Sequence, residues 1–266
     1  MKYQKNANLH IHTYHSDGIY SPRHIVHSAK KFGVEILSIT DHNEIIGTIT
    51  GARIAERLGL IYFPGIELMF GVKGRVYEIL AYFYELKDIK EFYEEYRYTN
   101  GFAPTFKTAT EVVEMIRRHN GAVVVPHPFG RKGIFRKLRN RGMNVDAIED
   151  VNAFTGEKRN KKAKNHTDHD NNFLRLGAAD MHFFVSDIKK VYTFLESDHE
   201  ITKRAFWENL LGKERTIKFK AVGRNFKPHK IIFQKPLCTL VYTLNYPRLH
   251  ISYWIGKRKH KKTFHK

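Results

Sequence analysis

Cysteine is almost absent from this 266-residue chain: Cys238 stands alone, which excludes an internal disulfide framework and any thiolate-rich zinc or iron–sulfur site. A lone thiol fits a reducing compartment, and a cytoplasmic location is the expectation. Long apolar runs are missing too. The longest mostly apolar stretch, residues 237–255, is interrupted by Asn245, Pro247, Arg248 and His250 and reads poorly as a membrane span. Residues 1–8 are polar and lead directly into His10 and His12, with no leader-like character. Gly71-Val-Lys-Gly and Gly130-Arg-Lys-Gly lack the spacing of a dinucleotide or Walker loop and read as turns; ATP or NAD dependence has no support. Acidic residues are outnumbered, 27 against 46 Lys and Arg, for a formal charge of +19. Such a balance attracts polyanions at long range: phosphorylated small molecules, nucleotides or nucleic acid, and anionic membrane surfaces.

What is present is a chain able to bury one sizeable core, with 42% hydrophobic residues. Residues 8–12 read as a strand. Ser21-Pro22 opens a helix whose Ile25, Val26, Ala29 and Phe32 share a face, closed by Gly33. Further strands are predicted at residues 35–40, 60–66, 77–83, 122–125, 147–151 and 176–179, with helices near 45–58 and around Val112, Val113 and Ile116. The repetition predicts an α/β fold, a βα barrel or an open parallel sheet rather than a sandwich. From Thr216 onward the chain is basic and aromatic. The expected division is therefore a main domain at 1–215 and, at 216–266, an extension packed on it except for its last residues.

Nearly every predicted strand ends in a polar residue: His10 and His12, Asp41-His42, Glu67, His127, Asn152, then Asp180 and His182. Buried parallel strands are apolar, so polar groups gathered at their carboxyl ends mark an active face. Residues two apart on a strand project from one side, so the imidazoles of His10 and His12 can meet one metal. His15 and Asp17 follow in a Ser-Asp-Gly turn that can curl back over them. Imidazole plus carboxylate suits Zn, Mn or Fe. Asp41 and His42 face opposite ways on an extended chain, one to ligate and the other to orient a neighbour or cap a helix. Pro126 and Pro128 restrict the backbone that aims His127.

Six pieces in order, His10-Ile-His-Thr-Tyr-His-Ser-Asp-Gly, Ile39-Thr-Asp-His-Asn, Gly65-Ile-Glu, Val125-Pro-His-Pro-Phe, Ile148-Glu-Asp-Val-Asn and Gly177-Ala-Ala-Asp-Met-His, resemble the PHP (polymerase and histidinol phosphatase) family over residues 8–182. The resemblance implies a distorted seven-stranded β/α barrel with two or three divalent metal ions. By motif, His10, His12, Glu67 and Asp180 would hold the first metal. Glu67 would bridge to a second, also held by His127, and Asp17, His42 and His182 would surround a third. His15 and Asp41 are ligands or neighbours of ligands. Two departures stand out: Glu78 occupies a place where relatives often have histidine, and Ala179 replaces a common serine. A carboxylate at position 78 favours a harder ion.

The implied activity is hydrolysis of a phosphate ester, on a small phosphomonoester or nucleotide-like substrate, by a metal-bound hydroxide. Glu67, Asp180 and His182 stand at the reacting centre, with Arg159 and Arg131 as phosphate clamps. An exonuclease or phosphodiesterase acting on nucleic acid is the enzymatic alternative. A phosphate- or nucleic-acid-binding module with a decayed metal site is the non-catalytic one.

Overall fold

The structure is a computed structural model that describes residues 2–98, 104–130, 144–167 and 174–223, with 237, 240 and 241 singly. Arg131, Cys238 and most of the basic tail lie outside the described residues.

Two mixed sheets carry the fold. The first contains β1 (Tyr3–Asn8), β2 (Ile36–Leu37), β3 (Ile61–Tyr62), β10 (Val191–Ser197) and β11 (Ile217–Gly223), in the order β11-β10-β1-β2-β3. The second contains β4 (Gly65–Val72), β5 (Arg75–Tyr82), β6 (Thr105–Phe106), β7 (Ala122–Val125), β8 (Ala147–Asn152) and β9 (Leu174–Ala178), in the order β6-β4-β5-β7-β8-β9. Parallel pairing joins β1 to β2, β2 to β3, β7 to β8 and β8 to β9, as the alternating pattern predicts. It breaks at β4 and β5, which pair antiparallel. Lys73 and Gly74, at φ of 50° and 72°, form the two-residue turn between them; so short a link cannot cross over to make a parallel pair. The α/β class holds, but the ladders form two sheets rather than one closed barrel. Two isolated parallel bridges, Ile11 with Met181 and His42 with Glu67, join one sheet to the other.

Local chemistry explains the helices. In α1 (Pro22–Lys31) the Ser21 hydroxyl accepts from His24 N–H, Pro22 occupies the first turn, and Ile25, Val26 and Ala29 are buried. Gly33 follows at φ 75°, a left-handed end that glycine adopts freely. For α2 (Ile46–Arg57), Glu44 supplies the cap: its Oε1 accepts from Ile45 N at 2.7 Å and Ile46 N at 3.0 Å. After α3 (Leu86–Tyr98), Thr108 and Glu111 open α4 (Ala109–Arg118) as a capping pair. Helix α5 (Glu157–Thr167) follows β8, and α6 (Lys203–Leu210) lays Phe206, Trp207 and Leu210 into the core. The residues after 215 begin as β11, a strand of the first sheet lying antiparallel on β10. Among the described residues, no helix is long and apolar enough to cross a membrane.

Candidate metal centre

The strands of both sheets deliver polar side chains to one buried cluster. Asn8, at the end of β1, fixes the delivery. Its amide donates to the carbonyls of Ile188 and Val191 and its oxygen accepts from Ala179 N, holding the chain after β1 beside the chain after β9. His12 N then donates to the Met181 carbonyl at 2.9 Å. His10 and His12 are fully buried, their Nε2 atoms 3.0 Å apart.

Glu67 stands at the middle of this group. Its Oε2 lies 3.2 Å from His10 Nε2, 3.2 Å from His12 Nε2 and 3.2 Å from His42 Nδ1. Its Oε1 lies 3.2 Å from His127 Nε2. Asp180 Oδ1 is 3.4 Å from the Nε2 atoms of both His10 and His12. Asp17 Oδ2 is 3.2 Å from His182 Nε2 and 3.7 Å from His42 Nε2, and Glu78 Oε2 is 3.7 Å from His127 Nε2. The ligand-type atoms converge in four overlapping groups: His12, Asp17, His42 and His182; His10, His12 and Glu67; His10, His127 and Asp180; His42, Glu67 and Glu78. Nine of the predicted site residues thus come together: His10, His12, Asp17, His42, Glu67, Glu78, His127, Asp180 and His182.

Charges in this cluster shape one another. For Glu67, burial opposes ionisation, yet His42, His10 and His12 hold its carboxyl well below the ordinary range. Burial is likewise outweighed at Asp17 by His182 and His42, and at Asp180 by His10 and His12, so both carboxyls are depressed. Burial also opposes protonation of the imidazoles. Even so, Asp180, Glu149 and Glu67 raise His10 well above its usual value, Asp180 and Glu67 raise His12 to about 10, and Glu67 and Glu78 raise His127 to about 9. His42 goes the other way, because burial dominates.

Asp41 and His15 are not in the converging groups. Both Asp41 oxygens are engaged within the loop: Oδ1 accepts from Thr13 N and Ser16 Oγ, and Oδ2 from Thr13 Oγ1. Asp41 thereby folds residues 13–16 over the cluster. His15 packs its ring 4.5 Å from Tyr14, and burial lowers its pKa. Arg159 lies in the first turn of α5, partly buried, and no hydrogen bond or ion pair among the described residues engages its guanidinium. Sequence reasoning missed Glu149 as a site residue. It is 2% exposed and accepts from His10 Nδ1 at 2.8 Å, His127 N at 2.9 Å and Asn152 Nδ2 at 2.8 Å. The signal in the sequence is partial: β8 reads Ala-Ile-Glu-Asp-Val-Asn, three polar residues in a strand that the structure buries, and nothing in that order singles out Glu149.

Metal ions suit this arrangement. Asp17, Glu67, Glu149 and Asp180 are buried, yet no Lys or Arg among the described residues forms an ion pair with them. Buried carboxylates are stable only when paired or bound to cations, and an all-nitrogen-and-oxygen donor set fits Zn, Mn or Fe. Backbone strain marks the same place. His127 and Asp180 sit at φ 27° and 44°, a left-handed region costly for residues with side chains.

Comparison with known proteins agrees with this geometry. The PHP domain model matches residues 8–121. An uncharacterized protein of Methanocaldococcus jannaschii is 30% identical over 161 residues, covering 56% of this chain and 82% of that protein. A 5'-3' exoribonuclease of Haemophilus influenzae is 34% identical over 77 residues, 29% of this chain and only 28% of its own length. Among solved structures, a two-domain protein of Bacteroides vulgatus, described as containing a predicted PHP-like metal-dependent phosphoesterase, superposes with a TM-score of 0.60 at 16% identity. The match covers 88% of this chain and 69% of that one, and shows the shared fold alone. With the domain matched from the first histidine pair onward and the Methanocaldococcus relative aligned over most of its length, this chain belongs to the PHP family.

Proposed function

We propose that this PHP-domain enzyme hydrolyses phosphate esters of small or nucleotide-like molecules, using two or three divalent ions held by the His/Asp/Glu cluster. The observation that carries this reading is Glu67, whose two oxygens lie 3.2 Å from imidazoles on different sides, His10 and His12 on one and His127 on the other. A carboxylate so placed can serve two ions at once. His10, His12, Glu67 and Asp180 would hold one ion, Glu67, His127 and Glu78 a second, and Asp17, His42 and His182 a third. When bound, such ions polarise a phosphoryl oxygen, lower the pKa of water and stabilise the leaving oxygen. The chain's own groups do the rest. Arg159 would clamp the substrate phosphate, with Arg131 as a second clamp. Phe154, stacked 4.7 Å from the His182 ring, limits how that imidazole can turn.

The bridges Ile11–Met181 and His42–Glu67 support reading β1, β2, β4, β5, β7, β8 and β9 as one distorted seven-stranded ring. The β11–β10 pairing supports an extension from 216 whose start packs on the domain. A diesterase acting on nucleic acid is the second reading, favoured by the local likeness to the Haemophilus exoribonuclease and by the +19 charge.

Metal analysis tests the first claim. Protein reconstituted with Mn, Fe and Zn should carry more than one equivalent, and less than about one equivalent would sink the multinuclear reading. On the same preparation, a panel of phosphomonoesters and short oligonucleotides separates the two substrate classes.

A further inference from the structure

Glu149 and Asn152 are buried, 2% and 0% exposed, and neither belongs to a converging metal-ligand group. Together they nonetheless touch three elements of the cluster. Glu149 Oε1 faces His10 Nδ1 at 2.8 Å, and its Oε2 accepts from His127 N at 2.9 Å and Asn152 Nδ2 at 2.8 Å. The Asn152 amide continues the chain by donating to Asp180 Oδ2 at 3.0 Å. Its orientation is not free, because its Oδ1 accepts from Phe154 N at 2.9 Å and so turns the NH₂ toward the two carboxylates.

We propose that Glu149, extended by Asn152, is a positioning residue that aligns His10, His127 and Asp180 for metal binding; this rests on the metal-centre reading above. Three consequences follow from the bonds. An ionised carboxylate only accepts, so Glu149 places the ring proton of a neutral His10 on Nδ1 and leaves the Nε2 lone pair facing Glu67 and His12. The bond to His127 N pins the backbone at one left-handed residue of the site, φ 27°. At the other, Asp180 at φ 44°, Asn152 engages Oδ2 and leaves Oδ1 toward His10 and His12. One buried brace therefore holds both strained positions and one ring tautomer.

Glu149→Gln keeps the shape and removes the all-acceptor character. Its NH₂ must face either the His10 ring or the two donors at Oε2, so one contact becomes donor against donor, or the His10 proton moves to Nε2. Zinc affinity, read by competition with a chromophoric chelator, should fall about 10- to 100-fold in this variant. Nitrogen-15 NMR of the zinc-loaded proteins supplies a readout that a merely structural role would not move: the His10 ring should carry its proton on Nδ1 in wild type and lose that signature in the variant. Asn152→Ala, which spares His10, should weaken zinc less. The double variant should lose less than the product of the single losses, because the two residues act through one brace. Wild-type zinc loading with unchanged affinity and His10 signal in Glu149→Gln overturns this inference alone. Failure of wild type to load zinc, manganese or iron overturns the metal reading and this inference with it. Should Glu149→Gln not fold, wild-type affinity in Asn152→Ala is the result that refutes the brace.

Discussion

Glu78 lies opposite Met69 in the β4–β5 register, two residues along from the pair Glu67–Leu80, so the two glutamates share a face of the hairpin. It joins His42 and Glu67 in one converging group. Replacing the carboxylate with imidazole softens that donor set, so Glu78→His should keep turnover and shift metal preference toward zinc, whereas Glu78→Ala should weaken one ion. Wild-type metal content and rate in both variants would make Glu78 an ordinary strand residue. Asp180→Ala removes an oxygen that faces two imidazoles and should abolish most turnover while circular dichroism stays that of a folded chain. Proton linkage gives a third expectation. In the metal-free protein, His12 and His127 are raised from 6.5 to about 10 and about 9, so their stabilising contribution is complete below about pH 6.5 and lost as pH rises through 9 to 10. The depressed Asp17, Glu67 and Asp180 contribute above their ordinary values of 3.8 to 4.5 and lose that contribution as pH falls below them. The metal-free melting temperature should therefore peak between about pH 4.5 and 6.5. Metal affinity should climb toward pH 9, because protons and ions compete for the same nitrogens. Chelator competition and thermal melts across that range check both, and a metal affinity flat from pH 6.5 to 9 would contradict the assignment of His12 and His127.

At the level of elements, the approach of α2 to the loop at Asp41 depends on Gly47. A methyl group there would collide with Asp41 Oδ2 and press on Thr13 Oγ1. Gly47→Ala should cost about 1–3 kcal/mol and disturb the residue 13–16 loop, visible as a lower melting temperature and weaker metal retention. Unchanged values for both would show that the loop yields easily. The parallel elements were legible because each combines a short apolar run, a capped amphipathic helix and a polar strand end, as at Ser21-Pro22 through Gly33. The β4–β5 hairpin was not. Lys73-Gly74 was read as a turn, but nothing in a continuous apolar strand states which way its neighbour runs; the two positive φ angles decide that, and they emerge only with the fold. Most of the converging residues were legible for a related reason, since a histidine or carboxylate just past an apolar strand, as at His127 or Asp180, has no core role; Glu67 and Glu78 instead lie inside β4 and β5. Glu149 escaped because it sits within β8, followed by Asp150 and Val151, and only the assembled sheet aims it at His10. For Asp41 two roles were open, ligand or neighbour of ligands, and its position beside His42 does not choose between them; its oxygens hold the residue 13–16 loop.

For the whole molecule, the charge of +19 is spread well beyond the cluster. Deleting residues 256–266, which lie outside the described residues, should leave metal content and turnover of a small phosphomonoester intact. If oligonucleotides are substrates, their affinity should drop and lose part of its salt dependence. Oligonucleotide affinity equal to wild type across a salt titration would remove any recruiting role for that segment. The bridge between Ile11 and Met181 has a consequence for biosynthesis. It seats the first residues of the cluster to be translated, His10 and His12, against the last, Asp180 and His182. At a synthesis rate of about 5–20 residues per second, the amino-terminal histidines wait on the order of ten to thirty seconds for their partners. A ribosome stalled before residue 180 would hold a nascent chain that exposes imidazoles without a complete cage, open to whichever ion the surroundings offer. On the proposed metal-centre reading, the full donor set that can discriminate between ions exists only once translation has passed His182.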